Sequence, residues 1–219
     1  MNIQLMPIRI MNKVLIIDDH SIFRQGVKKI ISDAFEHVQF GEAESSSEAL
    51  SKVHKQDWDI IITDINMPGR SGLELIREIK TMNPSLPILV LSIYEEEQLA
   101  LRALRAGANG YLNKGRAAND LVAAIHKLIE GKKFISEKVA EMLVCEYQNE
   151  NSNDCIKKLS DREFFVLKWL GDGDTVTEIA CNLSLSVKTI STYRSHILIK
   201  LGLKNTAQLM TFVRDNYII

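Results

Sequence analysis

Three short apolar runs, Val14–Ile17, Ile60–Thr63 and Ile88–Leu91, constrain this chain more than any other feature. Each is rich in β-branched side chains and bounded by polar or turn residues. Such runs read as strands buried on both faces, the mark of a parallel sheet covered by helices. Each run also ends on a polar group. Asp18-Asp19 follows the first, Asp64 the second and Ser92 the third. Pro68 and Gly69 then turn the chain away from the Asp64 strand.

Between the runs the apolar period changes to that of a helix. Ser21 to Ala34 places Ile22, Phe23, Val27, Ile30 and Ile31 on an inward face. Val38 to Glu42 reads as a second, weaker strand, and Ser47 to Gln56 as a helix on Ala49, Leu50 and Val53. Gly72 to Met82 carries Leu73, Leu75, Ile76 and Ile79, and Asn83-Pro84 closes it. Glu95 to Ala106 is a helix stopped by Gly107. Gly110-Tyr111-Leu112 is a fifth strand, followed by Lys114, and Ala118 to Glu130 is a last helix stopped by Gly131. Repeated strand–helix alternation predicts an α/β fold with right-handed crossovers.

In such sheets ligands sit at the carboxyl edge. Asp18, Asp19, Asp64, Ser92 and Lys114 all follow strands at that edge. Taken singly, each has a bland explanation as a loop cap or a solvated lysine. Together they form a coherent chemistry. Clustered carboxylates repel one another unless a cation is present, and Mg²⁺ suits oxygen ligands with waters retained. A metal beside a free carboxylate serves phosphoryl transfer to an Asp. Lys114 offers a point charge for the incoming group, and Ser92 a hydroxyl donor.

At 219 residues the chain suits two domains, and its 46% hydrophobic and 25% charged content is ordinary for globular proteins. The three cysteines, Cys145, Cys155 and Cys181, fit no zinc spacing and read as reduced thiols of a cytosolic protein. Met1 to Met11 lacks the features of a signal peptide and reads as an N-terminal extension, with Met11 an alternative start. No run approaches a membrane span.

The character of the chain shifts after residue 131. Ser136 to Tyr147 continues as a helix, and Gln148 to Asp154 is polar and turn-rich, a linker composition. Leu159-Ser160-Asp161-Arg162-Glu163-Phe164 then combines a capping box with a hydrophobic staple. The helix it opens runs through Val166, Leu167 and Leu170 to Gly171-Asp172-Gly173. Further helices follow at Val176–Leu183, Val187–Leu201 and about Thr206–Asn216, the last with Leu209, Met210, Phe212 and Val213 inward. The turn Ser184-Leu185-Ser186 makes the middle pair a helix-turn-helix candidate. From Ile179 to Arg214 there is no acidic residue, while Lys188, Arg194, Lys200, Lys204 and Arg214 are basic. Lys188, Ser191, Thr192 and Ser195 share one face of the third helix, opposite the apolar one. Hydroxyls flanked by bases suit a helix in the major groove of double-stranded DNA. The bland alternative is a small helical bundle with no nucleic-acid role.

Residues 13–131 resemble the receiver domain of two-component response regulators. The resemblance rests on Ile16-Ile17-Asp18-Asp19-His20, Asp64-Ile65-Asn66-Met67-Pro68-Gly69 with Gly72, Leu91-Ser92, and Ala106 through Lys114. It implies a flavodoxin-like doubly wound sheet of order 2-1-3-4-5, with Asp64 as phospho-acceptor. It also implies Mg²⁺ held by Asp19, Asp64 and the Asn66 backbone carbonyl, with Asp18 acting through water. Ser92 and Tyr111 are implied as a switch pair. The family often has Thr at the Ser92 position and Pro where this chain has Gly115. Residues 157–219 resemble the LuxR-type helix-turn-helix domain of the NarL/FixJ subfamily. That resemblance rests on Leu159 to Glu163, Thr177 to Ala180, Leu185 to Arg194 and Ile199 to Gly202. It implies base-facing Ser191, Thr192 and Ser195, with Lys188, Thr189, Arg194 and Lys200 nearer phosphates. Several relatives carry a second basic residue at the Ser191 position.

The expected organisation is an N-terminal extension (1–11), a receiver (12–131), a linker (132–156) and a four-helix DNA-binding domain (157–219). The expected function is that of a cytoplasmic transcription regulator, phosphorylated by a sensor histidine kinase and dimeric when phosphorylated, with no membrane partner. It is not a turnover enzyme. Haloacid-dehalogenase phosphatases share the Asp, Mg²⁺, hydroxyl and Lys set, but they begin with Asp-x-Asp after the first strand, where this chain has Asp18-Asp19. A DNA-binding protein with a purely structural receiver is the other rival, and the intact acids, Ser92 and Lys114 argue against it.

Overall fold

The computed structural model describes residues 11–67, 71–94, 96–148 and 155–215. The extension through residue 10, the Pro68-Gly69 turn, Glu95, the polar stretch 149–154 and Asn216 lie outside the described residues. The chain divides into two compact units, with the division after Leu143.

The first unit runs β1 (Lys13–Ile17), α1 (Ser21–Ala34), β2 (Gln39–Ala43), α2 (Ser46–Lys55), β3 (Ile60–Asp64) and α3 (Gly72–Met82). It continues with β4 (Ile88–Ser92), α4 (Glu96–Ala106), β5 (Gly110–Asn113), a 3-10 turn (Lys114–Arg116) and α5 (Ala117–Ile129). The five strands form one sheet in the order β2-β1-β3-β4-β5, and every pair is parallel. This is the doubly wound α/β sheet that the alternation predicts. Element ends differ from the sequence reading by a residue or so, within the usual fraying of helix and strand ends.

Every residue of β3 and β4 is buried, as a strand covered on both faces requires. Val14, Ile16, Ile60, Ile62, Leu89 and Leu91 face Val27 and Ile31 of α1 and Leu121, Ala124, Ile125 and Leu128 of α5. Leu15, Ile17 and Ile61, one residue out of phase, are equally buried and point to the opposite face. Each such aliphatic side chain contributes about 1.5–3 kcal/mol on burial.

Ile22 departs from the inward set predicted for α1, being 88% exposed. It sits in the first turn, immediately beyond the carboxyl edge of the sheet. Phe134 lies within the segment expected to be linker, yet it bridges Gly110 and adds backbone to the β5 edge through Tyr111 N and its own N–H to Asn109 O. A further helix, α6 (Glu137–Gln148), follows.

Beyond α6, the second unit carries a 3-10 turn at Cys155–Lys158, then α7 (Asp161–Asp172), α8 (Val176–Asn182), α9 (Val187–Leu201) and α10 (Thr206–Asp215). Ser160 and Glu163 form the predicted capping box on α7. Thr175 and Glu178 form a second one on α8, which the sequence reading missed although its Thr-x-x-Glu spacing is the same signal. Gly173 and Gly202 take left-handed conformations after α7 and α9, where a side chain would be strained. Phe164, Val166, Leu167, Ile179, Ile190, Ile197, Leu209 and Val213 form the buried set. Met210, expected inward, is 40% exposed. It adjoins Leu209, and one of two consecutive helix positions must point away from a narrow contact face.

Candidate functional site: an acidic crevice and a basic helix

The sheet order places β1 beside β3 and brings their acids together at the carboxyl edge, where the crossovers part to opposite sides. β3 delivers Asp64, 4% exposed, and the loop after β1 delivers Asp18, 2% exposed. Lys114 leaves β5 two strands away and reaches back over the edge. Its Nζ donates to Asp64 Oδ2 and to Asp18 Oδ2, each at 2.6 Å. The same ammonium sits 4.4 Å from the centre of the Phe23 ring. Asn66 N donates to Asp64 Oδ1 at 2.9 Å, so both oxygens of that carboxylate are held.

One ammonium therefore serves two buried acids. Burial pushes the Asp64 carboxyl above the usual carboxylate range, against the pull of Lys114 and the Asn66 N–H, and the Asp18 charge adds to the rise. Burial alone would lower the Lys114 ammonium, but the Asp64 charge and the bonds to both carboxylates carry it above its ordinary value.

Asp18 is fixed in turn by its neighbours. Its Oδ1 accepts from His20 N at 2.8 Å, and its backbone carbonyl accepts from Arg24 Nη1 at 2.6 Å. Arg24 is buried and also pairs with Glu42 and Glu44 at the end of β2. Asp19 is half-buried, and its Oδ1 is buried without a hydrogen bond. The nearest basic atom is His20 Nδ1, 2.9 Å away but outside hydrogen-bond alignment. Donor atoms of Asp18, Asp19, His20 and Asp64 all lie within 4.8 Å of one another. His20, which sequence reasoning did not count among the ligand candidates, joins this group directly after Asp18-Asp19. An orphaned carboxylate oxygen among three acids fits a hard divalent cation.

Ser92 and Tyr111 are both buried beside this crevice. Ser92 Oγ accepts from Tyr94 N at 3.2 Å, the local bond expected of a strand-end hydroxyl. The Tyr111 ring is turned inward, and its hydroxyl donates to Tyr94 O at 3.1 Å. Asn113 Nδ2 donates to Ile93 O and Tyr94 O. The segment after β4 is thus tied to β5 at two consecutive carbonyls.

In the second unit α9 presents Lys188, Thr192 and Ser195 as exposed residues, with Ser191 half-buried beside them. The Thr192 and Ser195 hydroxyls donate to Lys188 O and Ser191 O, one turn back. Thr189 is engaged in the helix cap: its N–H donates to Ser186 Oγ. Arg194 is half-buried, and its Nε makes no hydrogen bond. Lys200 Nζ donates to Glu163 Oε2 at 2.6 Å, so one of the bases expected near phosphates is paired inside its own unit.

Among the described residues no helix is long and apolar enough to cross a membrane. Residues 14–126 match the response regulator receiver domain, and residues 157–213 match the luxR family of bacterial regulatory proteins. The response regulator GacA of Pseudomonas protegens is 33% identical over 91% of this chain and 93% of its own. RcsB from Salmonella enterica serovar Typhimurium, solved bound to promoter rprA with the phosphomimetic BeF3-, is 32% identical. It has a TM-score of 0.63 and covers 93% of this chain and 98% of its own. A structure of two RcsB dimers bound to two parallel DNAs is 35% identical, with a TM-score of 0.56 over 93% of this chain and 98% of that one. A parallel sheet with an acid-lined crevice under one lysine, followed by a capped helix-turn-helix, marks this chain as a response regulator of the NarL/FixJ kind, a receiver domain with a LuxR-type output domain.

Proposed function

We propose that this chain is a phosphorylation-controlled DNA-binding transcription regulator that takes a phosphoryl group from a sensor histidine kinase onto Asp64. The observation that carries the reading is the pair of 2.6 Å contacts from Lys114 to Asp64 and Asp18. They leave a buried carboxylate oriented at both oxygens, beside a cation suited to an incoming anion. In the reaction a carboxylate oxygen of Asp64 attacks the phosphorus of a phosphohistidine. The P–O bond forms as the P–N bond breaks, and the departing imidazole takes up a proton. Lys114 remains beside the charge that accumulates on the phosphoryl oxygens. Ser92 is positioned to exchange its bond from Tyr94 N for one donated to a phosphoryl oxygen. Mg²⁺, held by Asp19, Asp64 and the Asn66 carbonyl with Asp18 through water, would supply neutralisation of that developing charge.

The product is an acyl phosphate that adds roughly −1.5 to −2 charges to the crevice. Driving a two-state switch from 1:99 to 99:1 takes about 5.5 kcal/mol of differential stabilisation, and new bonds from Lys114 and Ser92 are its source. In the output domain Ser191, Thr192 and Ser195 face the major groove, with Lys188, Thr189 and Arg194 towards phosphates. Two phosphorylated chains place their α9 helices on half-sites about one helical turn apart. We set the receiver at 12–131 and the DNA-binding domain at 157–219, and place the protein in the cytoplasm, where its DNA lies. Incubation with a small phosphodonor and Mg²⁺ tests the reading. An acid-stable, base-labile phosphate on wild type, absent from Asp64→Asn, is expected. Labelling that survives Asp64→Asn would overturn the assignment. For the output face, specific DNA binding that is unchanged in Thr192→Ala plus Ser195→Ala would refute it.

A further inference from the structure

We propose that the His20 imidazole is a nitrogen donor to the cation of the acidic crevice, so that this site favours Mn²⁺ and later first-row divalent ions over Mg²⁺. The inference deepens the metal-assisted reading above and rests on it.

Three observations carry it. His20 Nδ1 stands 2.9 Å from Asp19 Oδ1 and 3.1 Å from Asp18 Oδ1. Donors at about 2.1 Å from an octahedral ion stand about 3 Å apart when they are adjacent, so these separations match edges of one coordination shell. Second, the Asp19 contact is not a hydrogen bond, which leaves a buried oxygen beside the ring with nothing between them to satisfy it. Third, Asp64 belongs to the same group, all of whose donor atoms lie within 4.8 Å. Two members of the shell, His20 and Asp64, are also held independently. His20 is anchored through its own backbone N–H to Asp18 Oδ1, and Asp64 by Asn66 N and Lys114.

Chemistry then sets the preference. Carboxylate, carbonyl and water suit Mg²⁺ and Mn²⁺ alike, whereas imidazole favours the first-row transition ions. Mg²⁺ keeps its waters and gains little from a nitrogen. In this structure Nδ1 hydrogen-bonds Asp18 Oδ1 at 3.1 Å; with the ring proton moved to Nε2, its lone pair would face a cation instead.

Pulsed electron paramagnetic resonance of the full chain with Mn²⁺ tests this directly. A ¹⁴N coupling of imidazole type is expected in wild type and in His196→Ala, and its loss in His20→Ala and His20→Gln. Calorimetric titration should show Mn²⁺ affinity falling about tenfold in both His20 variants, the size of effect seen when a supporting metal-site group is removed, with Mg²⁺ affinity unchanged. Mn²⁺ bound in wild type without nitrogen coupling, but lost in Asp19→Asn, overturns the role of His20 and leaves the acid site standing. Failure of wild type to bind Mn²⁺ or Mg²⁺ at all overturns both.

Discussion

Lys200 Nζ donates to Glu163 Oε2 at 2.6 Å, joining α9 to the carboxylate that caps α7. Glu163 is 3% exposed and also receives Ser160 N at 2.7 Å. The pairing assigns Lys200 to the orientation of α9 within its unit. Lys188, exposed at the other end of the same helix, forms no ion pair among the described residues and is free to meet a phosphate.

The two lysines should therefore separate in DNA binding. Lys188→Ala is expected to reduce the salt slope of binding by about one and to weaken it uniformly across sequences. Lys200→Ala should leave the slope nearly unchanged and lower stability by up to about 1 kcal/mol, the range for a partly exposed pair. Salt-dependent fluorescence anisotropy and denaturant melts check both.

The same carboxylate sets an acid limit for the second unit. Burial by itself would raise the Glu163 carboxyl, but the Lys200 bond and the Ser160 bonds hold it below its ordinary value of 4.5. Its folded value is depressed, so its contribution is complete above 4.5 and is lost as pH falls through the lower folded value. Glu163→Gln should flatten that acid limb, and Glu163→Ala should cost about 1 kcal/mol at neutral pH through the lost cap. Denaturant unfolding followed by Trp169 fluorescence in a Trp58→Phe background reads it.

In the receiver, the raised carboxyl of Asp64 has the opposite sign. Its contribution is present below the ordinary 3.8 and is lost as pH rises through the elevated folded value, so ionised Asp64 costs stability at neutral pH. Asp64→Asn is expected to raise the melting temperature in chelator while abolishing phosphorylation. Lys114→Met should lower stability by about 3 kcal/mol, because it leaves Asp18 and Asp64 without their ammonium. Added divalent cation should recover part of that loss. Calorimetry with and without Mg²⁺ distinguishes the two variants.

Gly72 gives α3 its close approach to the strand that carries Asp64. A Cβ there would meet Ile65 Cα at 2.6 Å and Asp64 O at 2.8 Å, both backbone. Alanine in a first helical turn ordinarily stabilises. Here Gly72→Ala is expected to cost about 1–3 kcal/mol and to slow phosphorylation of Asp64 together with it. Thermal melts and phosphodonor labelling rates measure the pair of effects.

Much of this was legible in the sequence because the sheet is buried on both faces, and burial writes unbroken apolar runs. Those runs located Asp18, Asp19, Asp64 and Ser92 at one edge before any coordinates. The exposure of Ile22 was not legible, since helical period does not register that the sheet ends beneath the first turn. Met210 failed for a similar reason, as apolar neighbours at consecutive positions cannot share a narrow face. The pairing of Lys200 with Glu163 crosses between α7 and α9, and no local pattern encodes it. His20 was legible by type, but its nearness to Asp19 depends on how the chain turns after β1.

The tie between β5 and the segment after β4 bears on how the protein counts. Tyr111 and Asn113 hold two successive carbonyls, Ile93 and Tyr94, while Tyr94 N holds Ser92 Oγ. Each bond is worth about 0.5–1.5 kcal/mol net, and a half-shifted segment would forfeit several at once while forming none of the new ones. Partial displacement is therefore the least favourable place to be. Under the proposed switch, a single molecule would then answer yes or no, and a stronger stimulus would be recorded in the cell as more molecules saying yes.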